Sequence, residues 1–209
     1  IISVSNYEKG LLIKDFGIDE NRIWLVPNGI DQAEFIGEKG LEESQTILYV
    51  GRLEQYKGVQ YIIQALPLLG DDYCLEIVGR GTYKAELTKL ADRLGLSQRV
   101  RFNQFLPRSE LIKMYFQAAV LVLLSQREAF SIVVAEALAA KTPCVVANTS
   151  ALREWVDNRN CFGVDYPIDV AQLAEAISKA KAKRVTDVKL WDWDDVVREL
   201  EHIYNLGQG

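Results

Sequence analysis

The chain has 209 residues, 49% of them apolar and 25% charged, with a net charge of −5. This is ordinary globular composition for one large domain, or one domain plus a fragment, and its acidic balance argues against DNA or RNA as the main partner. The three cysteines, Cys74, Cys144 and Cys161, have no metal-ligand spacing, and the single histidine, His202, lies near the end, so neither a zinc site nor a Ser-His-Asp triad is expected.

The chain opens "IISVSNYEKG", without methionine and in what reads as a strand, so a piece excised from a longer protein is expected. Residues 1–40 then read as strand "IISVS", helix "YEKGLLIKDFG", strand "IWLVP" and turn "NGID". The polar, glycine-bearing stretch 37–45 reads as a linker. From residue 46 the pattern is regular. "TILYVGR" predicts a strand and "GVQYIIQALPLL" a helix; "YCLEIVG" is again a strand, followed by the amphipathic helix "TYKAELTKLADRLG", ended by Gly95. "RVRFNQF" predicts a strand and "RSELIKMYFQA" a helix. "AVLVLLS" is continuously apolar, as a central parallel strand should be. "SIVVAEALAAK" is β-branched enough for a strand, but it lies between two strong strands, and parallel strands need a crossover, so a fully buried helix is expected. Strand "PCVVAN", helix "SALREWVDN", strand "CFGV" and helix "DVAQLAEAISKAKAK" with Asp169 as its N-cap follow. "KAKAKR" (179–184) reads as a solvated helix end, and "WDWDDVVRELEHIYNL" as a terminal amphipathic helix whose tryptophans seek a docking surface.

Six strands alternating with helices predict a doubly wound parallel α/β sheet covered on both faces. The cysteines fall in apolar stretches and read as buried, reduced thiols of a cytosolic protein. No apolar stretch reaches the roughly 20 residues of a membrane span, and no signal-peptide pattern is read.

In such sheets ligands lie outside the carboxyl ends of the strands. After "ILYV" the loop "GRLEQYKG" offers Arg52 and Lys57, a forked donor and a point charge for phosphate, or else two solvated bases. "VGRGTYKAEL" has Gly79 and Gly81 but Lys84 where a dinucleotide fingerprint needs a third glycine, so tight-turn glycines are the plainer reading. Leu106 in "FNQFLPRSE" sits where an apolar side chain could lie beside a base, or where a strand simply exits at Pro107. "EAFSIVVAE" (128–136) carries a glutamate at each end of an apolar run, with a helix N-terminus between them that favours an anion. An unpaired buried carboxylate costs several kcal/mol, so Glu136 needs partners. These are a backbone amide, a core arginine, or the vicinal hydroxyls of a ligand, since a carboxylate accepts two hydrogen bonds side by side. Two carboxylates flanking a phosphate-holding helix end suit a nucleotide-sugar.

The run "SQREAFSIVVAEALAAKTPCVVAN" resembles the E-x7-E signature of retaining glycosyltransferases of the GT-B fold, family 4 (group 1). "VPNGID", "YVGRLEQYKG", "IVGRGTYKAEL", "VRFNQFLPRSEL", "LREWVDNRNCFGV", "DVAQLAEAI" and "WDWDDVVRELEHIY" follow that family's order, so the resemblance covers essentially the whole chain. It implies a Rossmann-like donor-binding half of a GT-B enzyme. Residues 1–40 would be the end of an N-terminal acceptor domain with its hinge, 41–190 the nucleotide-sugar domain, and 191–209 a helix crossing back. By resemblance Arg52, Lys57 and Glu128 are catalytic: the two bases on the donor pyrophosphate and the departing diphosphate, Glu128 on the donor sugar. The implied donor contacts are Gly51, Arg52, Lys57, Gly79, Leu106, Glu128, Ala129, Phe130, Ser131, Ile132 and Glu136, with amides 130–132 on the distal phosphate, Leu106 at the base and Glu136 on the ribose. No metal or other cofactor is implied. The acceptor, a sugar, lipid or glycan, would be bound by the absent half, so this chain alone is expected to bind donor and transfer nothing. A cytoplasmic enzyme is implied, with any association at the cytoplasmic membrane face depending mainly on that half. A GT-B nucleotide-sugar epimerase and a non-catalytic nucleotide-binding module are the alternatives. Four positions depart from the family. Ser131 stands where glycine is frequent, a change read as harmless for a small N-capping residue. Lys141 replaces a glycine, at a cost of about 1 kcal/mol if φ is positive there. Thr82 replaces a proline, and Gln104 replaces a glycine near the expected base site.

Overall fold

The computed structural model describes residues 1–37 and 44–206, so most of the stretch read as a linker lies outside the described residues. The first segment is a small unit. Strand β1 (Ile2–Ser3) pairs in parallel with β2 (Trp24–Leu25), and helix α1 (Asn6–Phe16) makes the crossover. Ser5 caps α1 by accepting from the Glu8 amide at 3.1 Å, and Gly17 ends it at φ 64°. A short 3₁₀ turn, Gln32–Phe35, leads out of this unit.

The main sheet contains β3 (Thr46–Val50), β4 (Cys74–Val78), β5 (Val100–Asn103), β6 (Val120–Leu123), β7 (Cys144–Ala147) and β8 (Cys161–Val164). All its pairings are parallel, in the order β5-β4-β3-β6-β7-β8. The crossover helices are α2 (Val59–Ala65), α3 (Lys84–Arg93), α4 (Arg108–Gln117) and α5 (Ile132–Ala139); α6 (Val170–Lys181) and α7 (Trp193–Leu206) follow. The six predicted strands all form. As the continuous apolar run required, every residue of β6 is buried, and so is every residue of β7. Helix α5 is buried from Val134 to Leu138, as a helix apolar on nearly every side must be.

Three local expectations change. The predicted helix over "SALREWVDN" is a 3₁₀ turn, Ser150–Trp155, entered through a left-handed Ser150 at φ 46°. Helix α2 stops at Ala65 and tightens to 3₁₀ over Leu66–Leu68, since Pro67 has no N–H to continue the ladder. The basic end of α6 is only partly solvated: Lys181 donates to Gln45 Oε1 at 2.5 Å and sits 5.2 Å from the Tyr73 ring centre. Asp169 caps α6 as expected, accepting from the Ala171 and Gln172 amides. None of the three cysteines is in a disulfide among the described residues; Cys144 and Cys161 are buried and Cys74 is half-buried. No helix among the described residues is long and apolar enough to cross a membrane.

The strand order fixes where a ligand would go. The chain runs outward from β3 through β4 to β5, then returns to lay β6 on the other side of β3. The two loops leaving β3 and β6 therefore diverge, and the crevice between them is the topological switch point of the sheet.

Candidate functional site

The loop leaving β3 is held by close backbone contacts to its neighbours on both sides. Gly58, at φ 77°, lies against the exit of β6: a Cβ there would sit 2.5 Å from the Leu124 carbonyl oxygen. A Cβ on Gly79, at φ 151°, would sit 1.9 Å from the Gly51 carbonyl oxygen. Gly51 and Gly79 thus meet each other, and the G-x-G after β4 serves the packing of two loops, in line with its plainer reading.

Between these loops, Lys57 and Glu128 form an ion pair of 2.5 Å, with side chains only 11% and 19% exposed. Lys57 comes from the 3₁₀ turn Gln55–Lys57 after β3, and Glu128 from the loop after β6. The Glu128 backbone is pinned on both sides: its amide donates to Ser150 Oγ at 3.0 Å and its carbonyl accepts from Ala151 at 3.2 Å. Beneath the pair lies Tyr49, fully buried, whose hydroxyl donates to the Arg52 carbonyl at 2.7 Å. Burial, reinforced by the charge of Glu128, pushes that phenol well above its ordinary pKa. Arg52 is exposed at the crevice, its Nη2 3.0 Å from Tyr56 Oη.

Helix α5 begins at the same crevice. The amides of Phe130, Ser131 and Ile132 have no hydrogen-bond partner among the described residues, while Val134 and Ala135 turn back to the Ser131 carbonyl. A helix tip with free N–H groups attracts negative charge. Trp155 steadies the approach by donating from Nε1 to the Phe130 carbonyl at 2.7 Å, with the two rings 5.2 Å apart, edge to face. Ala129 is exposed between these anchors. Ser131 is not a harmless N-cap: its φ and ψ are both 82° and its side chain makes no capping bond, so serine holds a backbone shape that favours glycine. Lys141 has φ 59°, which meets the condition under which lysine is costly there.

Glu136 lies one helical turn beyond the tip, about 6 Å along the axis, and is 7% exposed. Its partners were only partly legible. Oε1 accepts from Arg108 Nη1 at 2.5 Å, an arginine as expected but an exposed one and not a core residue, and Oε2 accepts from the Tyr115 hydroxyl at 2.7 Å. Arg108 is the first residue of α4, directly after the exit of β5. It also donates from Nε and Nη2 to Glu34 Oε2, at 3.0 and 2.7 Å, and its guanidinium carbon lies 5.5 Å from the Phe35 ring centre. The hydrogen bonds to Glu34, with the one to Glu136, outweigh burial and hold Arg108 above its ordinary pKa, so it stays charged. Burial, then Glu136, pushes the Tyr115 hydroxyl well up, so it remains a donor. Near the end of β5, Leu106 is half-buried against the core while Phe105 is 84% exposed.

The structure therefore gathers Lys57, Glu128, Arg52 and the α5 tip at one crevice, and places Glu136 a turn deeper in a separate cluster. Arg108, Tyr115, Tyr49 and Glu34 were missed in the sequence. The available signal for Arg108 was its address, since it follows a strand's carboxyl end just as Lys57 does.

Comparison with known proteins adds an independent line. Residues 31–190 match the family model described as "Glycosyl transferases group 1". An uncharacterized glycosyltransferase of Methanocaldococcus jannaschii is 30% identical over 234 residues, spanning 99% of this chain and 60% of that protein. A glycogen synthase of Mycobacterium tuberculosis is 34% identical, spanning 90% of this chain and 50% of that protein. The chain thus spans about half to three-fifths of these curated relatives. Among solved structures, Anabaena HepE in complex with UDP and glucose superposes with a TM-score of 0.85 at 19% identity, over 98% of this chain and 62% of that one. Sucrose-phosphate synthase from Thermosynechococcus elongatus gives 0.78 at 22% identity, over 98% and 57%. At such identities these two likenesses concern the fold.

Proposed function

The chain belongs to the group 1 glycosyl transferases, and on that premise we propose that it is the donor-binding half of a retaining hexosyltransferase that uses a nucleoside-diphosphate sugar. The observation that carries this reading is the ion pair of Lys57 and Glu128 at the switch point, beside the unpaired amides of the α5 tip. A diphosphate needs positive charge and N–H donors; Arg52, Lys57 and the tip supply both. When the sugar leaves, the C1–O bond breaks and its electron pair goes to the diphosphate oxygen. Charge placed where that oxyanion forms lowers the barrier. Glu128, already oriented by Lys57 and Ser150, would accept from hydroxyls of the donor sugar. Glu136 would accept from the ribose, with the base near Leu106. No metal is required in this reading. The UDP and UDP-glucose complexes of HepE, a neighbour in fold, are in keeping with it.

Residues 1–40 would be the end of an acceptor domain and the hinge, 41–190 the donor domain, and 191–209 the helix that returns. Contacts at both ends support this division. The Ile30 amide donates to the Trp191 carbonyl at 3.0 Å, and Gln32 donates to Leu190. The Glu154 carboxylate accepts from the Asn6 and Tyr7 amides at the start of α1. The acceptor and any docking at the cytoplasmic membrane face would belong to the other half, so this chain alone should transfer nothing.

Titration of the chain with UDP, GDP and ADP, and with their hexose conjugates, tests the assignment. Glu136→Ala should weaken nucleotide and nucleotide-sugar alike, and Glu128→Ala only the sugar-bearing ligand. Equal losses for both ligands from Glu128→Ala would show that residue to be misassigned, and transfer by the isolated chain would refute the division of labour.

A further inference from the structure

We infer that Arg108 is a positioning residue that, together with Tyr115, sets the Glu136 carboxylate for a vicinal diol and ties it to the segment Glu34–Phe35 ahead of the main sheet. This rests on the reading of Glu136 as the ribose-binding carboxylate. An ionised carboxylate offers about four lone-pair sites, two on each oxygen. Arg108 occupies one on Oε1 and Tyr115 one on Oε2. One site is left on each oxygen, the arrangement two neighbouring hydroxyls require. Neither partner alone would do this. Tyr115 fixes one oxygen but brings no charge, while Arg108 neutralises the buried carboxylate yet leaves it free to rotate.

Arg108 is in turn held from outside the sheet. Glu34 takes two of its N–H groups and Phe35 lies against its guanidinium face; the Phe35 and Tyr115 rings are 6.2 Å apart. Both Glu34 and Phe35 come from the 3₁₀ turn Gln32–Phe35. A single guanidinium thus couples that turn to the carboxylate. Lysine cannot replace it, because one ammonium cannot present a planar fork to two carboxylates at once.

The test is calorimetric titration of this chain with UDP, GDP and ADP, each beside its 2′,3′-dideoxy counterpart, which lacks the diol. For whichever base binds, Arg108→Gln should lower affinity for the ribonucleotide about tenfold, the worth of a hydrogen bond to a charged group, and leave the dideoxy ligand within about twofold. Tyr115→Phe, close to isosteric and safer for folding, should erode the same preference for the diol. Arg108→Lys should recover only part of it. Equal losses on ribo- and dideoxy-ligands in both Arg108→Gln and Tyr115→Phe, or an undiminished preference for the diol in both, would overturn the inference alone. Wild-type chain that binds none of the nucleotides would overturn the proposed function and this inference together.

Discussion

Replacing Lys57 by methionine should cost about 2–3 kcal/mol of stability, most of which a second change at Glu128 should return. At 2.5 Å, and with an effective dielectric constant of ~20, the gross attraction of the pair is about 7 kcal/mol. Desolvation of both charges offsets much of it, so the pair's net worth is smaller. Loss of one partner is another matter, because it strands the remaining charge; in a fully buried pair this costs about 3–5 kcal/mol. Glu128 keeps 19% of its side-chain exposure and recovers some hydration, which brings the expected cost down to about 2–3 kcal/mol. Methionine retains most of the aliphatic stem, so little of the loss is packing. Glu128→Gln in the same background removes the stranded charge, and the double variant should lie within about 1 kcal/mol of wild type. Urea unfolding of the four proteins of the cycle, at constant m, reads the coupling directly. A coupling energy below about 0.5 kcal/mol, the level of an exposed pair, would show that the two side chains are solvated in solution and would remove the core of the site described above.

Two further changes test the backbone and the pH response. Ser131→Gly should raise stability by about 1 kcal/mol, because φ and ψ of 82° carry no capping bond to lose; thermal unfolding would show it, and a decrease would mean that the side chain is used. Asp157 accepts from the Arg159, Asn160 and Cys161 amides at 2.8, 2.7 and 2.9 Å. Burial works to raise its pKa, but these N–H groups win and hold it below the ordinary carboxylate value. A carboxyl depressed in the folded state contributes stability above its unfolded pKa and loses it as pH falls through the folded one. The cost of Asp157→Ala should therefore be full at neutral pH, about 1 kcal/mol given its exposure to solvent. It should shrink once the pH drops below about 4. A difference that stays constant down to acid pH would refute the charge assignment.

The sheet was legible because each strand carries its own signal. "AVLVLLS" has no polar residue before Ser125, which only a strand buried on both faces tolerates, and β6 occupies that central place. Helix α5 was legible from context, since its β-branched run would otherwise have left β6 and β7 without a crossover. The turn at Ser150–Trp155 was not, because its geometry depends on a left-handed serine whose hydroxyl is taken by the Glu128 amide 22 residues earlier in the chain. The site divides the same way. Lys57, Arg52, Glu128 and the α5 tip could be found from their positions after strands. Arg108 pairs with Glu136 at a separation of 28 residues and with Glu34 at 74, and no local pattern records such contacts.

The spacing of the two glutamates has a physical reason once their partners are known. Glu128 precedes the α5 tip and Glu136 follows it by a turn, so the two carboxylates lie on either side of the free amides. Each meets a base from a different loop: Lys57 after β3 for Glu128, Arg108 after β5 for Glu136. One helix thereby collects three strand exits, and its buried residues Val134 to Leu138 keep that arrangement rigid. Two bases thus answer three acids: Lys57 pairs with Glu128, and Arg108 with both Glu34 and Glu136. On the proposed reading a bare anion at the α5 tip would meet Arg52 and the free amides directly, and Lys57 only as the partner of Glu128. A ligand that brings hydroxyls to the carboxylates as well as negative charge to the tip can use both halves of each ion pair without separating them. On that reading, such a crevice would favour molecules that carry phosphate and diol together over phosphate alone, because its acids and bases are paired in advance.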